Sequence, residues 1–178
     1  MDKEKLGLIH IYCGDGKGKT TASLGLAIRS AGAGFKVFIL QFLKNRDTSE
    51  LNSLELIPNI EIIRGKEGNV FTFGMTEEQK AKSKEIHLNN FAKAKEVAFN
   101  GECDILILDE VIGAYNRNLL DREDLLNFLD NKPENLEVIL TGRNPADELI
   151  ERADYVSKIQ KIKHPFDKGI PSRIGIEK

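Results

Sequence analysis

The stretch CGDGKGKTT, residues 13–21, decides the fold of this chain. It follows an apolar segment from Leu6 to Tyr12 that is predicted to be a strand, and it leads into a predicted helix from Lys19 to Ala31. Glycines at such a junction let backbone N–H groups turn inward around an anion, and the helix N-terminus adds a partial positive charge. The stretch therefore predicts a phosphate-binding loop between the first strand and the first helix.

The side chains of this loop suit a nucleotide that is bound together with a metal ion. Lys19 supplies a mobile cation for the phosphates, and Thr20 supplies a hydroxyl group for Mg²⁺. The residues predicted to bind the nucleotide phosphates are Gly14, Asp15, Gly16, Lys17, Gly18, Lys19, Thr20 and Thr21. The match to the pattern GxxxxGK[ST] is imperfect, because Cys13 stands where the first glycine belongs. A glycine-rich turn with an unrelated lysine is the alternative interpretation, and Lys17 either contacts phosphate or is solvated.

Two acidic residues, Asp109 and Glu110, directly follow the apolar run from Ile105 to Leu108, which is predicted to be a strand. In P-loop proteins such a strand lies beside the phosphate loop, and its acid holds Mg²⁺. We therefore predict that Thr20, Asp109 and Glu110 hold the metal, directly or through water. The alternative is that the two acids are ordinary surface residues at the end of a strand.

The rest of the chain alternates apolar runs with helix-like runs, which is typical of a parallel sheet covered by helices. Further strands are predicted at Val37–Phe42, Ile60–Ile63, Asp104–Leu108, Val138–Thr141 and Tyr155–Ile159. Further helices are predicted at Thr76–Phe99, Leu119–Leu129 and Pro145–Arg152, with a loop containing a helical turn at Asn45–Pro58. The predicted fold is α/β and P-loop NTPase-like (RecA-like), with a mostly parallel sheet and helices on both faces. Residues 1–178 are expected to form one domain, in which residues 163–178 are a C-terminal tail.

The composition of the chain bears on whether it binds nucleic acid, spans a membrane or is secreted. The formal net charge of −2 argues against a dedicated nucleic-acid binder, which needs a basic surplus. No apolar run approaches the roughly 20 residues that cross a bilayer. The N-terminus does not resemble a signal peptide, and Cys13 and Cys103 form no CxxC pair, so we expect a cytoplasmic protein.

Four other residues or pairs have weaker signals. Arg143 follows an apolar strand and either reaches a phosphate or is solvated. His10 is expected in the core or behind the site, and His87 on the surface of the long helix. Phe71 and Phe73 lie in a glycine-containing loop, where aromatic rings either anchor the loop or cover a large flat ligand.

The phosphate loop is similar to the shortened GNGKGKTT loop of the corrinoid adenosyltransferases, the P-loop type of ATP:cob(I)alamin adenosyltransferase. The resemblance continues in order through Gln41–Lys44, Phe71–Phe73, Leu108–Glu110, Thr141–Arg143, Lys163–Gly169 and Gly175–Glu177. Two departures stand out. Members of the family have a longer N-terminal segment that helps to cover the active site, and their aromatic loop often has tryptophan where this chain has Phe73.

The resemblance implies that the 5′-deoxyadenosyl group of ATP is transferred to the cobalt(I) of a corrinoid and that triphosphate is released. It implies ATP and Mg²⁺ as co-substrate and cofactor, a reductase that donates electrons, and a homodimer. Lys19, Thr20 and Glu110 would then serve catalysis, Arg143 would bind ATP, and Phe71 and Phe73 would contact the corrinoid. Two other classes stay open: a P-loop ATPase or small-molecule kinase, and a non-catalytic module that binds nucleotide or corrinoid.

Overall fold

The apolar segments form a single sheet in which every strand is parallel to its neighbours. The computed structural model describes residues 5–44, 48–65 and 76–177. The six strands are β1 (Ile9–Cys13), β2 (Val37–Gln41), β3 (Ile60–Arg64), β4 (Ile105–Asp109), β5 (Glu137–Gly142) and β6 (Tyr155–Lys158). Their order across the sheet is β3-β2-β4-β5-β1-β6. The prediction of an α/β fold with a mostly parallel sheet is confirmed.

Burial explains why the central strands are apolar at almost every position. Every residue of β2, β4 and β5 is buried, whereas every residue of the edge strand β6 is exposed. Side chains of one strand point alternately to opposite faces of the sheet. Accordingly, Leu106 and Leu108 belong to one hydrophobic cluster, and Ile105 and Ile107 belong to the other. Both faces of the sheet are therefore covered.

The helices divide between these two faces. They are α1 (Lys19–Gly32), α2 (Glu50–Leu54), α3 (Glu77–Phe99), α4 (Val111–Asn116), α5 (Arg122–Asn131) and α6 (Asp147–Ile150). Residues of α1 and α2 pack into the cluster of Ile105 and Ile107, and those of the other four pack into the cluster of Leu106 and Leu108. Within the described residues, none of the helices has the length and apolar character needed to cross a membrane.

The long helix α3 begins with a capping box at Thr76. The Thr76 hydroxyl accepts a hydrogen bond from the Gln79 N–H, and the Gln79 side chain accepts one from the Thr76 N–H. Phe91, Ala94 and Ala98 are buried, while Ile86 is half-buried. The expectation that His87 lies on the helix surface is wrong, because only 5% of this residue is exposed.

Several boundaries differ from the sequence predictions for local reasons. The first strand begins at Ile9 instead of Leu6, because Gly7 has a φ of 131° that interrupts extended backbone. The helix predicted from Leu119 begins at Arg122, since the Asp121 carboxylate caps it by accepting from the Asp124 N–H. The short helix α4 was not predicted, because it has six residues and shows too little periodicity.

A buried carboxylate joins the N-terminal segment to β5. Glu137 accepts hydrogen bonds from the Gly7 N–H at 2.7 Å, the Leu8 N–H at 2.8 Å and His10 Nε2 at 2.6 Å. Burial by itself would raise the pKa of Glu137, but these bonds outweigh it and lower the pKa below its ordinary 4.5. The carboxylate thus stabilises the arrangement that orients β1 and the loop after it.

We expect Glu137→Gln to lower the free energy of unfolding at pH 7 by about 1–3 kcal/mol, because the amide cannot satisfy all three donors. The pKa of Glu137 is lowered on folding, so its contribution is complete above pH 4.5 and is lost as the pH falls through the folded pKa. Urea denaturation at pH 7 and below pH 4 should therefore show a difference between the two proteins that shrinks in acid. Glu134→Gln, at an exposed position nearby, is the control and should match the wild type. Equal unfolding midpoints for all three proteins at pH 7 would contradict the prediction.

Candidate nucleotide and metal site

The phosphate loop lies between β1 and α1, at the edge of the sheet where the strands end. Gly14 has a φ of 107°, and a Cβ atom there would lie 2.3 Å from the carbonyl oxygen of Ile159. The Gly16 N–H donates to the same carbonyl at 2.9 Å. The chain that follows β6 therefore packs directly on the loop, and only glycine fits at this contact.

Lys19 is the first residue of α1 and is 7% exposed. Its Nζ donates to the Gly16 carbonyl at 2.9 Å, so the ammonium group lies against the phosphate loop. Burial lowers the pKa of Lys19, while the negative charge of Glu110 opposes this shift. A partly buried ammonium group beside a glycine-rich loop is suited to bind an anion.

Asp109 is fully buried and gathers four polar side chains around its carboxylate. Oδ1 accepts from the Thr20 hydroxyl at 2.9 Å and from the Thr141 hydroxyl at 2.7 Å. Oδ2 accepts from Gln41 Nε2 at 3.2 Å and lies 2.8 Å from Lys44 Nζ. The carboxylate is thus the centre of a network, and the alternative of a surface acid does not hold for Asp109.

The strand of Asp109 lies close to the phosphate loop without pairing with the strand that enters the loop. β5 lies between β4 and β1 in the sheet, so the strand of Asp109 is one place removed from the strand that enters the loop. The contact is made by side chains, since Thr20 in the first turn of α1 reaches over the end of β5 to Asp109. Thr141, at the end of β5, joins the same carboxylate.

Glu110 follows β4 in a left-handed conformation, with a φ of 60°, and directly precedes α4. Its N–H donates to the Thr141 hydroxyl at 2.8 Å. Burial and the neighbouring charge of Asp109 raise the pKa of the Glu110 carboxyl, and the charges of Lys19, Lys44 and Arg143 oppose the rise. These couplings put Glu110 within the electrostatic reach of the phosphate loop.

The donors near the loop fit a magnesium ion by their chemistry. Thr20, Asp109 and Glu110 offer only oxygen atoms, the type of ligand that Mg²⁺ prefers. Within the described residues there is no group of three or more His, Cys, Asp or Glu side chains able to hold a metal by themselves. An ion at this position would therefore take its remaining ligands from phosphate oxygens and water.

Three other predicted residues have different surroundings. Arg143 is exposed after β5, and its charge acts on the pKa of both Lys19 and Glu110. The Asp15 carboxylate accepts from the Lys161 N–H at 3.1 Å and so joins the loop to the chain after β6. Lys17 is exposed and lines a groove beside α1. Phe71 and Phe73 lie outside the described residues.

The groove has a volume of about 730 Å³ and runs between α1, α2 and the C-terminal segment. Its wall is apolar along α1, at Leu24 and Ile28, and the tail contributes Ile176. Thr20 and Lys44 lie at its polar end. A cavity of this size and mixed character is of the kind that holds small ligands.

Sequence reasoning did not assign roles to two polar residues that take part in the network. Gln41 and Lys44 were named only as part of the family resemblance, yet the side chains of both contact Asp109. Gln41 in turn accepts a hydrogen bond from Arg64 Nη2 at 2.7 Å. The available signal was a polar residue that ends an otherwise apolar strand.

His87 is another residue whose surroundings the sequence did not predict. Its ring lies 5.3 Å from that of Phe42, and burial lowers its pKa to about 4. Among the residues that the structure describes, neither the buried Nδ1 atom of this neutral ring nor the buried Nδ2 atom of Asn90 has a hydrogen-bond partner.

A parallel α/β sheet with a glycine-rich loop, a buried lysine and an acidic strand end defines a P-loop nucleotide-binding protein. The chain belongs, within this class, to the ATP:corrinoid adenosyltransferase BtuR/CobO/CobP family, whose model matches residues 5–177.

Curated relatives agree with this membership. The corrinoid adenosyltransferase of Escherichia coli (strain K12) is 34% identical, over 98% of this chain and 87% of its own length. Corrinoid adenosyltransferase CobA of Salmonella typhimurium is 32% identical, over 98% and 87%. The corrinoid adenosyltransferase of a Sinorhizobium species is 32% identical, over 98% and 81%.

Solved structures with this fold include distant P-loop proteins. The KaiC-like protein PH0186 of Pyrococcus horikoshii OT3 matches with a TM-score of 0.51 at 18% identity, over 85% of this chain and 71% of its own. ATPases 2 and 3 of EssC from Geobacillus thermodenitrificans match with a TM-score of 0.51 at 17% identity, over 98% and 37%. At such identities the likeness concerns the fold alone, and it agrees with a RecA-like sheet.

We expect Gly16→Ala to weaken ATP binding by about tenfold or more, which corresponds to losing one charge-assisted hydrogen bond. A Cβ atom at residue 16 would lie 2.8 Å from the backbone carbonyl atoms of Gln160, so the loop has to shift. Isothermal titration of each variant with ATP and Mg²⁺ measures the effect.

Gly32→Ala is the matched control, because a Cβ atom there meets nothing within 4 Å. It should leave ATP affinity unchanged and stabilise α1 by about 1 kcal/mol through helix propensity. Wild-type affinity in Gly16→Ala would refute the assignment of this loop to phosphate binding.

Proposed function

We propose that this protein transfers the 5′-deoxyadenosyl group of ATP to the cobalt(I) of a corrinoid and releases triphosphate. The observation that carries the proposal is the family membership of the chain together with the convergence of Lys19, Thr20 and Asp109 at the end of the sheet. Arg143 and residues 14–21 are proposed to bind ATP.

The chemistry requires no nucleophile from the protein. Cobalt(I) supplies the electron pair for the new cobalt–carbon bond, and the bond between C5′ of the ribose and the phosphate oxygen breaks. The departing electron pair stays on the triphosphate, so negative charge grows there as the reaction proceeds. The task of the protein is therefore to bind and orient both substrates and to stabilise that charge.

The residues around the phosphate loop suit this task. The ammonium group of Lys19 and the loop N–H groups would stabilise the departing charge, and the low exposure of Lys19 strengthens its field. Thr20, Asp109 and Glu110 are proposed to hold Mg²⁺, which supplies charge neutralisation at the phosphates when it is bound. Glu110 is proposed to act in catalysis through this ion and through its closeness to Lys19.

Phe71 and Phe73 are proposed to contact the corrinoid. Axial ligation is a main influence on the redox potential of a metal in a macrocycle. Apolar rings that exclude an axial ligand would make the reduction of cobalt(II) to cobalt(I) easier. The role of both rings is carried over from the family resemblance.

Four further proposals complete this function. An electron-donating reductase supplies the cobalt(I) state, and the enzyme acts as a homodimer in the cytoplasm. Residues 1–178 form one domain in which residues 163–178 are a tail. The first of these is supported by the chemistry, since cobalt(I) has to be generated before each transfer.

The inorganic product tests the reaction itself. Incubation of the protein with ATP, Mg²⁺ and chemically reduced cobalamin should give a light-sensitive cobalt–carbon product and intact triphosphate in equal amounts. Anion chromatography separates triphosphate from ADP and phosphate. Stoichiometric ADP without triphosphate would instead favour an ATPase or kinase in which Glu110 activates water or a hydroxyl group. Nucleotide binding without any turnover would favour a non-catalytic module.

We expect Phe71→Ala and Phe73→Ala to fail mainly when cobalt(II) and a mild reductant are supplied. Activity should recover substantially when a strong reductant generates cobalt(I) beforehand, because the difficult reduction is then bypassed. ATP affinity should change little. Both assays, together with a thermal melt, measure the separation of the two steps.

Phe99→Ala, at the far end of α3, is the matched control and should behave alike in both assays. If the Phe71 and Phe73 variants lose both activities in equal proportion, the rings only anchor their loop and have no role in reduction.

A further inference from the structure

Lys44 forms an ion pair that the proposed reaction does not yet explain. It follows β2 after Leu43, whose φ of 57° turns the chain at this point. The ammonium nitrogen lies 2.8 Å from Oδ2 of Asp109 and 3.4 Å from Oε1 of Glu50. The Lys44 side chain is 21% exposed, whereas that of Asp109 has no exposure at all. The lysine thus reaches from the polar end of the groove to a buried carboxylate.

Electrostatics accounts for this arrangement. An ionised carboxylate that is removed from water is costly unless a cation or several donors compensate it. The hydroxyl groups of Thr20 and Thr141 occupy Oδ1, while the amide of Gln41 and the ammonium of Lys44 occupy Oδ2. Lys44 is the ion-pair partner that the described part of the chain provides for Asp109.

The same arrangement conflicts with a divalent cation. An ion held by the Thr20 hydroxyl and by Asp109 would share this carboxylate with the ammonium group. Two like charges a few ångströms apart repel each other strongly where water is scarce. Both oxygens of Asp109 are also already occupied, so the ion can coordinate only if a present partner leaves.

We propose that Lys44 is an exchangeable cation, which neutralises Asp109 in the nucleotide-free protein and leaves it when nucleotide and Mg²⁺ bind together. This inference rests on the proposed metal site at Asp109. The lysine lines the same groove as Thr20 and Lys17, so the anionic phosphates give its ammonium group a second partner. Lys44 therefore opposes metal binding until a polyphosphate is present, and the two ligands bind with positive coupling.

Metal titration of the nucleotide-free protein tests this role without corrinoid or turnover. Mn²⁺ replaces Mg²⁺ as the probe, and the signal of free Mn²⁺ in electron paramagnetic resonance reports binding. Lys44→Met should bind Mn²⁺ more tightly than the wild type by about tenfold or more, because a repelling charge has been removed. Lys44→Arg keeps the charge and should remain close to the wild type.

Two controls locate the effect. Lys95→Met removes a lysine of α3 that pairs with Asp124 of α5, and it should leave Mn²⁺ affinity unchanged. The double variant Lys44→Met/Asp109→Asn removes both charges of the pair and should lose the gain seen in Lys44→Met. At saturating Mg²⁺, Lys44→Met should bind ATP several-fold more weakly than the wild type, since one phosphate contact is lost.

The outcomes separate the two proposals. If Lys44→Met binds Mn²⁺ no more tightly than the wild type, or if the gain survives in the double variant, the role of Lys44 is refuted. If the wild type with ATP removes no more free Mn²⁺ than the same ATP does without protein, the metal site at Asp109 is refuted and the role of Lys44 with it. A failed adenosyl-transfer assay refutes the proposed reaction, but it does not change what the Mn²⁺ titration shows about Lys44 and Asp109.

Discussion

The buried carboxylate of Asp109 is the constraint on which the site depends. It is removed from water at the end of a central strand, so each of its lone pairs has to be satisfied by the protein. Its four partners come from α1, β5, the end of β2 and the segment just after β2. One ionised group thus fixes the relative positions of elements that are far apart in the sequence. Asp109 also holds the end of the phosphate loop in place, because its partner Thr20 directly follows Lys19 in the sequence.

The parallel sheet determines where such a group can gather partners. Because all strands run in one direction, their ends and the helix N-terminus after β1 lie at the same edge. Polar residues that end neighbouring apolar strands therefore meet at this edge. Gln41, Asp109 and Thr141 end three adjacent strands in this way, and all three are buried and hydrogen-bonded.

The residues of the phosphate loop were predictable because their signal is local: glycines between a strand and a helix, then a lysine and a hydroxyl. Thr20 and Asp109 were predicted to act together on a metal ion, and a hydrogen bond between them brings their side chains together. The roles of Gln41 and Lys44 were not predictable, since they require β2 to lie beside β4, and the order of strands is a long-range property. The burial of His87 was not predicted, because only apolar residues were counted as inward-facing positions of the helix. A neutral imidazole that packs against an aromatic ring can also lie in a hydrophobic core. Short elements such as α4 escape detection because six residues cannot establish a period.

The position of β1 has a consequence for how the chain is made. This first strand pairs with β5 on one side and β6 on the other, so both of its neighbours come from the last third of the sequence. During synthesis the N-terminal strand leaves the ribosome long before either partner exists, and its apolar residues have no sheet to join. The contact of Gly16 with Ile159 likewise cannot form until residue 159 has been made. Completion of the nucleotide pocket therefore waits for β5 and β6, and fragments that end before β5 are expected to need chaperones and to aggregate.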